Sequence, residues 1–160
     1  MDPNPNLPRL DPAPAGEDAL QRLFGGATLA EINQVPQEQL EAVYTVGCER
    51  VDREDFEGAL DPMLYVVVHN PYEFRYQFAY GLCLHQLGQV ADAAKHYGLA
   101  WMLDPSDAGT AFRLGECHAA LGDQEAAAEA FETAKALCDP PTFQSNIRLA
   151  AEAALHRLHA

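Results

Sequence analysis

From residue 17 onward, apolar side chains recur along this chain at helical spacing. Glu17 and Asp18 sit in a first turn, Leu20, Leu23 and Phe24 form one stripe, and Gly25-Gly26 stops it. Thr28-Leu29-Ala30-Glu31 follows with the spacing of a capping box, in which Thr28 and Glu31 each satisfy a free backbone N–H. Val35-Pro36 ends that short helix, and Pro36 can open the next one. At the other end, Thr142 can cap a final helix after Pro140-Pro141. Phe143, Ile147, Ala151, Ala154, Leu155 and Leu158 share one face of it. Residues 1–16 hold five of the eleven prolines and few large apolar side chains. Such a stretch buries too little surface to offset its ordering entropy, which predicts disorder.

Between these ends the pattern repeats. Gly47, Gly81 and Gly115 stand 34 residues apart, and so do Ala59, Ala93 and Ala127. The same period links Met63, Tyr97 and Phe131, then Val66, Ala100 and Ala134, then Pro71 and Pro105; the third repeat reaches Asp139-Pro140 one residue late. A 34-residue period of small, small, large, small and proline slots is the tetratricopeptide pattern of two antiparallel helices per repeat. The small slots let paired helices approach closely, and Met63, Tyr97 and Phe131 fill the space between them. Gly88 and Gly122 fall where a left-handed C-cap is wanted. The expected fold is all-α: a superhelical array of three tetratricopeptide repeats with N-terminal helices and a C-terminal capping helix. The chain divides into a Pro-rich tail (1–16), a helical segment (17–38), repeats at 39–72, 73–106 and 107–140, and the cap (141–160). Two features strain this register. Leu64-Tyr65-Val66-Val67-Val68 looks like a strand by propensity, yet the repeat places it in a helix, and tertiary context overrides a weak propensity. Pro62 falls inside that same helix, where it should kink it or cost about 3 kcal/mol locally.

Charge and composition narrow the partners. Acidic side chains number 24 against 10 basic, a net charge of -14, and Lys95 and Lys135 are the only lysines. Nucleic acid needs many cations to displace its counterions, and anionic membrane needs a polybasic patch, so neither is expected as a partner. No apolar run reaches the roughly 18 residues of a membrane span. The opening MDPNPNLPRLDPAPAG has no apolar core and does not read as a signal peptide, so the chain is expected to stay where it is made. Cys48, Cys83, Cys117 and Cys138 form no C-x-x-C pair and read as reduced thiols in a helical core. No nucleophile elbow, P-loop, zincin or dinucleotide motif is present. His156 and His159 could share a metal but lack a third ligand, and adjacent Cys117-His118 point apart on a helix. The expectation is a protein that is not an enzyme, with no cofactor and no metal.

The informative face is the one lined by the first helix of each repeat. Counting turns from the packing glycines, the inward stripe is Tyr44, Cys48 and Val51, then Phe78, Leu82 and His85 with Arg75 a turn earlier, then Phe112, Glu116 and Ala119. A clamp for a terminal carboxylate would need Lys, Asn and Arg here. Its slots hold Tyr44, Cys48, Ala79, Gly109 and Arg113, of which only Arg113 fits. Aromatic and aliphatic pockets suit an extended, uncharged peptide with spaced apolar anchors.

These segments resemble a known family. The stretches GGATLAEINQVPQEQLEAVYTVG, YGLCLHQLGQVADAAKHYGLAWMLDP and LGECHAALGDQEAAAEAFETA are similar to the class II (SycD/LcrH/IpgC-like) chaperones of bacterial type III secretion. The likeness runs from about Gly25 to Asp139; Pro62, the Pro-rich N-terminus, Cys48 and Val51 depart from it. It implies a chaperone in the cytoplasm of a Gram-negative bacterium, holding hydrophobic translocator proteins by a P-x-L-x-x-P-like segment before export. It implies a homodimer without client through the N-terminal helices, which points to Leu20, Leu23, Phe24, Leu29 and Ile32. Under this likeness Tyr44 and Phe78 are pocket walls, and Leu82, Val51 and Phe112 are floor. His85, Arg75 and Glu116 are candidates for hydrogen bonds to the client backbone. The competing expectation is a general tetratricopeptide scaffold that joins folded proteins.

Overall fold

A computed structural model describes residues 16–138 and 145–158. The Pro-rich stretch read as disordered lies outside the described residues, as do Thr142, Phe143 and His159. The described residues form nine helices and no strand. They are α1 (Gly16–Phe24), α2 (Leu29–Ile32), α3 (Gln37–Asp52), α4 (Phe56–His69), α5 (Phe74–Gln86), α6 (Val90–Leu103), α7 (Ala108–Ala120), α8 (Gln124–Leu137) and α9 (Ser145–Leu158). From α3 onward each helix packs on the next, so the array grows as a row of antiparallel pairs.

Local chemistry sets the helix ends. The capping box forms: Thr28 Oγ1 accepts from the Glu31 N–H at 3.1 Å, and Glu31 Oε2 accepts from the Thr28 N–H at 2.8 Å. Pro36 sits one residue before α3, as its N-cap, rather than inside its first turn. The Asp55, Asp107 and Asp123 carboxylates cap α4, α7 and α8 by accepting backbone N–H groups of the first turn.

The repeat slots hold the core. Ala59, Ala93 and Ala127 are fully buried, as are Met63, Tyr97, Val66, Ala100 and Ala134, with Phe131 nearly so. The stretch Leu64–Val68 is helical. Val66 and Val67 are buried with Leu40 and Tyr76, whereas Leu64 and Val68 face outward. Packing of one face outweighs the strand preference of β-branched residues. α4 runs from Phe56 to His69 with Pro62 inside it, so the Gly58 carbonyl lacks its usual donor four residues on.

Each first helix ends in the same turn. The N–H groups of Asp55, Gln89 and Asp123 reach back to Arg50, Leu84 and His118 carbonyls, all at 2.9 Å. The residue before each has positive φ: Gly88 at 76°, Gly122 at 83°, but Glu54 at 59°. Repeat one thus sets a side chain in a conformation that L residues adopt at a cost of about 1–2 kcal/mol. Glu54→Gly is therefore expected to raise stability by about 1 kcal/mol, read as a higher urea midpoint with an unchanged m-value.

Candidate functional site

The stripe read from the sequence lies on α3, α5 and α7. Tyr44, Cys48, Val51, Phe78, Leu82, His85, Phe112 and Glu116 are all half-buried, and Arg75 is exposed. None of the three aromatic rings is sealed. Each lies over the large residue of its own second helix. Tyr44 joins the cluster of Met63, Phe78 is tilted on Tyr97 at 5.5 Å, and Phe112 is tilted on Phe131 at 5.5 Å. Each ring is therefore partly spent on the fold; Phe78 and Phe112 also line a common cavity, and Tyr44 is tilted against Tyr76 at 5.1 Å.

Charged groups on this face are paired with one another. The Arg75 guanidinium donates to both Glu41 oxygens, at 2.8 and 3.3 Å, and through Nε to Glu73 Oε1 at 2.9 Å. It also lies 5.4 Å from the Tyr44 ring centre and 5.8 Å from that of Tyr76. The Tyr76 hydroxyl donates to Glu41 at 3.0 Å, and Gln37 donates to both groups. Hydrogen bonding to Arg75 holds the Glu41 carboxyl below the usual range. This network ties the first repeat to the second. Glu41, Tyr76 and Gln37 were not anticipated, although Glu41 and Arg75 carry opposite charge at positions 34 residues apart.

Within α7 the Arg113 guanidinium donates to Glu116 at 2.8 Å, so the one clamp-type cation is already paired. Burial lowers the pKa of His85, favouring the neutral ring, and pushes the Cys117 thiol up to about 11. His85 Nδ1 and Cys117 Sγ are 3.9 Å apart. Beneath them the Tyr97 hydroxyl is buried without a hydrogen-bond partner. Repeat three has Phe131 in this slot. Tyr97→Phe is expected to stabilise the chain by about 1 kcal/mol, because it removes an unpaired buried hydroxyl. A lower thermal midpoint for this variant would contradict that.

The face continues onto α9. A cavity of about 310 Å³ is lined by Phe78, Gly109, Phe112, Arg113, Asn146, Ile147 and Ala150. Ile147 stands 35 residues after Phe112 and extends the aromatic series. The sequence reading placed Ile147 on the packing face of a cap; the late Asp139-Pro140 was the signal for its added role. Ala151, Ala154 and Leu155 of α9 pack on Ala127, Phe131 and Ala134, as expected of a cap.

The N-terminal residues divide. Leu20, Leu23 and Phe24 are 54%, 45% and 87% exposed on α1, and Leu29 is half-buried. Ile32, named with them for a dimer interface, is instead spent inside the fold at 5% exposure. α2 is a single turn, and its Ala30 and Ile32 both turn inward. Among the described residues no helix is long and apolar enough to cross a membrane, and no group of three His, Cys, Asp or Glu could hold a metal ion.

Comparisons with known proteins agree with this geometry. The tetratricopeptide repeat family model matches residues 44–108 and 100–140. Low calcium response locus protein H of Yersinia pseudotuberculosis is 25% identical over 123 residues, covering 76% of this chain and 73% of that protein. The crystal structure of a type III secretion complex from Aeromonas hydrophila superposes with a TM-score of 0.82 at 26% identity. It covers 89% of this chain and 95% of the other. PcrH, from Pseudomonas aeruginosa, bound to the chaperone binding region of PopB, superposes with a TM-score of 0.70 at 25% identity. The coverage is 76% of this chain and 98% of that one.

Proposed function

Because the chain belongs to the tetratricopeptide repeat family, we propose that its apolar face grips an extended segment of another polypeptide, and that the client is a hydrophobic type III translocator. The observation that carries this is the row Tyr44, Phe78 and Phe112, half-buried on successive first helices and extended by Ile147. Rings fixed from beneath present pre-organised walls, which lowers the entropy cost of binding a peptide. Arg75 and Arg113 are both held in ion pairs, which disfavours capture of a terminal carboxylate by either. The likeness to PcrH with its bound PopB region supports the same reading over a scaffold for folded partners.

In this role the chain performs no catalysis. It acts in the bacterial cytoplasm before export by covering a membrane-active segment, and the net charge of -14 keeps the complex dispersed. Tyr44, Cys48, Val51, Phe78, Leu82 and Phe112 supply the pockets. His85, Arg75 and Glu116 hydrogen-bond the client backbone; Arg75 has N–H donors beyond those used on Glu41 and Glu73. Without client, the exposed Leu20, Leu23 and Phe24 of α1 pair two copies. The test is co-expression with a translocator from the same host. The client is expected in the soluble fraction as a complex with this chain; an insoluble client and no complex would refute the proposal.

A further inference from the structure

We propose that a cavity enclosed by α6, α7 and α8, apart from the apolar stripe, is a second docking site, and that it takes an arginine side chain of a partner protein.

The cavity measures about 200 Å³, with Trp101, Ala111, Leu114, His118, Glu129 and Ala130 among its walls. Ala111, Leu114 and His118 follow one another at i, i+3 and i+7 on α7. At about 100° per residue they face away from Phe112, Glu116 and Ala119 of the same helix. The two sites therefore lie on different sides of α7, and a client on one does not fill the other. The volume falls below the roughly 300 Å³ at which small-molecule and cofactor pockets begin, and it suits a single side chain.

The cavity exists because repeat three lacks side chains that repeat two has. At positions 34 residues earlier, the slots of Ala111, Leu114 and Ala130 hold Gln77, Tyr80 and His96. Gln77 is buried there with its Oε1 2.8 Å from His96 Nδ1, and the His96 ring meets the Tyr80 ring edge-on at 4.7 Å. A planar, nitrogen-bearing group set between an aromatic ring and a polar partner thus fills this place between the first two repeats. Between the second and third, two alanines and a leucine leave the space open, and Trp101 stands at its wall where repeat one has Val67.

Charge selects among planar groups. Glu129 is exposed, and among the described residues neither its carboxylate nor the Trp101 indole N–H has a hydrogen-bond or ion-pair partner. The next acid on the helix, Glu132, is held by Lys135. In repeat two the slot of Glu129 belongs to a cation, Lys95, tied to Asp92, so the sign reverses where the space is open. The net charge of -14 adds a long-range attraction for a basic partner. Arginine meets each demand. Its flat guanidinium stacks on an indole and forks onto a carboxylate, and its aliphatic stem covers Leu114 and the alanines.

Trp101 is the chain's only tryptophan, so its fluorescence reports this cavity directly. The full chain is titrated with N-acetyl-arginine amide, and with N-acetyl-norleucine amide as an apolar probe of similar length. The arginine probe is expected to give a saturable change with a half-point on the order of 1 mM, as suits a ligand of its size. The norleucine probe, which cannot pair with Glu129, is expected to bind about tenfold more weakly. Glu129→Gln is expected to weaken the arginine probe by about the same factor, whereas Glu125→Gln, one turn earlier on α8, leaves it unchanged. Ala130→His, which places in repeat three the side chain that fills the slot in repeat two, is expected to abolish binding. Circular dichroism of the Glu129 variant is expected to match the native chain, since the position is exposed. No saturable change overturns the proposal, and so does native affinity in Glu129→Gln. Equal binding of the norleucine probe, or an equal loss in Glu125→Gln, also overturns it, because the site is then only an apolar hole or only a diffuse field. No client enters the titration, so it stands or falls separately from the co-expression result.

Discussion

Replacing Phe78 by Glu is expected to weaken client binding by about 30-fold or more, as for a central aromatic anchor whose loss costs upward of about 2 kcal/mol. The added carboxylate deepens the loss, because an apolar client side chain cannot pair with it. Helical content is expected to survive. Phe78 is half-buried, stacked on Phe74 at 5.9 Å and tilted on Tyr97 at 5.5 Å, and it lines the cavity shared with Phe112. Losing those contacts costs about 1–2 kcal/mol, within what a repeat array of this size tolerates. Calorimetric titration with the translocator's binding segment reads the first effect, and far-ultraviolet circular dichroism reads the second. Wild-type affinity in the variant would remove the apolar face from the binding site. Loss of the helical signal would make Phe78 a core residue instead.

The largest change in stability is expected from Gly115→Ala. A Cβ at position 115 would stand 2.6 Å from two carbons of the Phe131 ring. Phe131 cannot retreat easily, because it is 2% exposed and packed among Ala111, Ala127, Ala151 and Ala154. Overpacking of this kind costs about 1–3 kcal/mol, and a rigid ring puts this site near the upper end. Gly47→Ala is the internal comparison. Its Cβ would approach Met63, first at the terminal methyl at 2.6 Å, and a flexible thioether chain can swing away. Urea unfolding of both variants is expected to order them with Gly115→Ala the less stable. Equal midpoints would show that the ring and the thioether yield alike.

These two residues also show why the array was legible. Gly115 and Phe131 belong to a set that recurs every 34 residues, and recurrence separates a packing requirement from chance. The helical state of Leu64–Val68 came from the same register, against local propensity, and so did the left-handed turns at Gly88 and Gly122. Glu54 was not foreseen in the matching turn of repeat one, because a glutamate carries no signal for positive φ. Arg75 was legible as a groove residue, yet its engagement by Glu41, Glu73 and two tyrosine rings was not. Periodicity ranks positions by face and says nothing of which long side chains meet across helices.

The sequence by itself determined the helix pairs and the small and large slots that lock them, because each is a local spacing repeated along the chain. Tertiary structure alone decided three further things. Ile32 turns inward, Ile147 joins the row on α9, and the ionic groups of the face engage one another. The physical reason is that these depend on distances between helices far apart in the chain, which packing sets and no single period encodes.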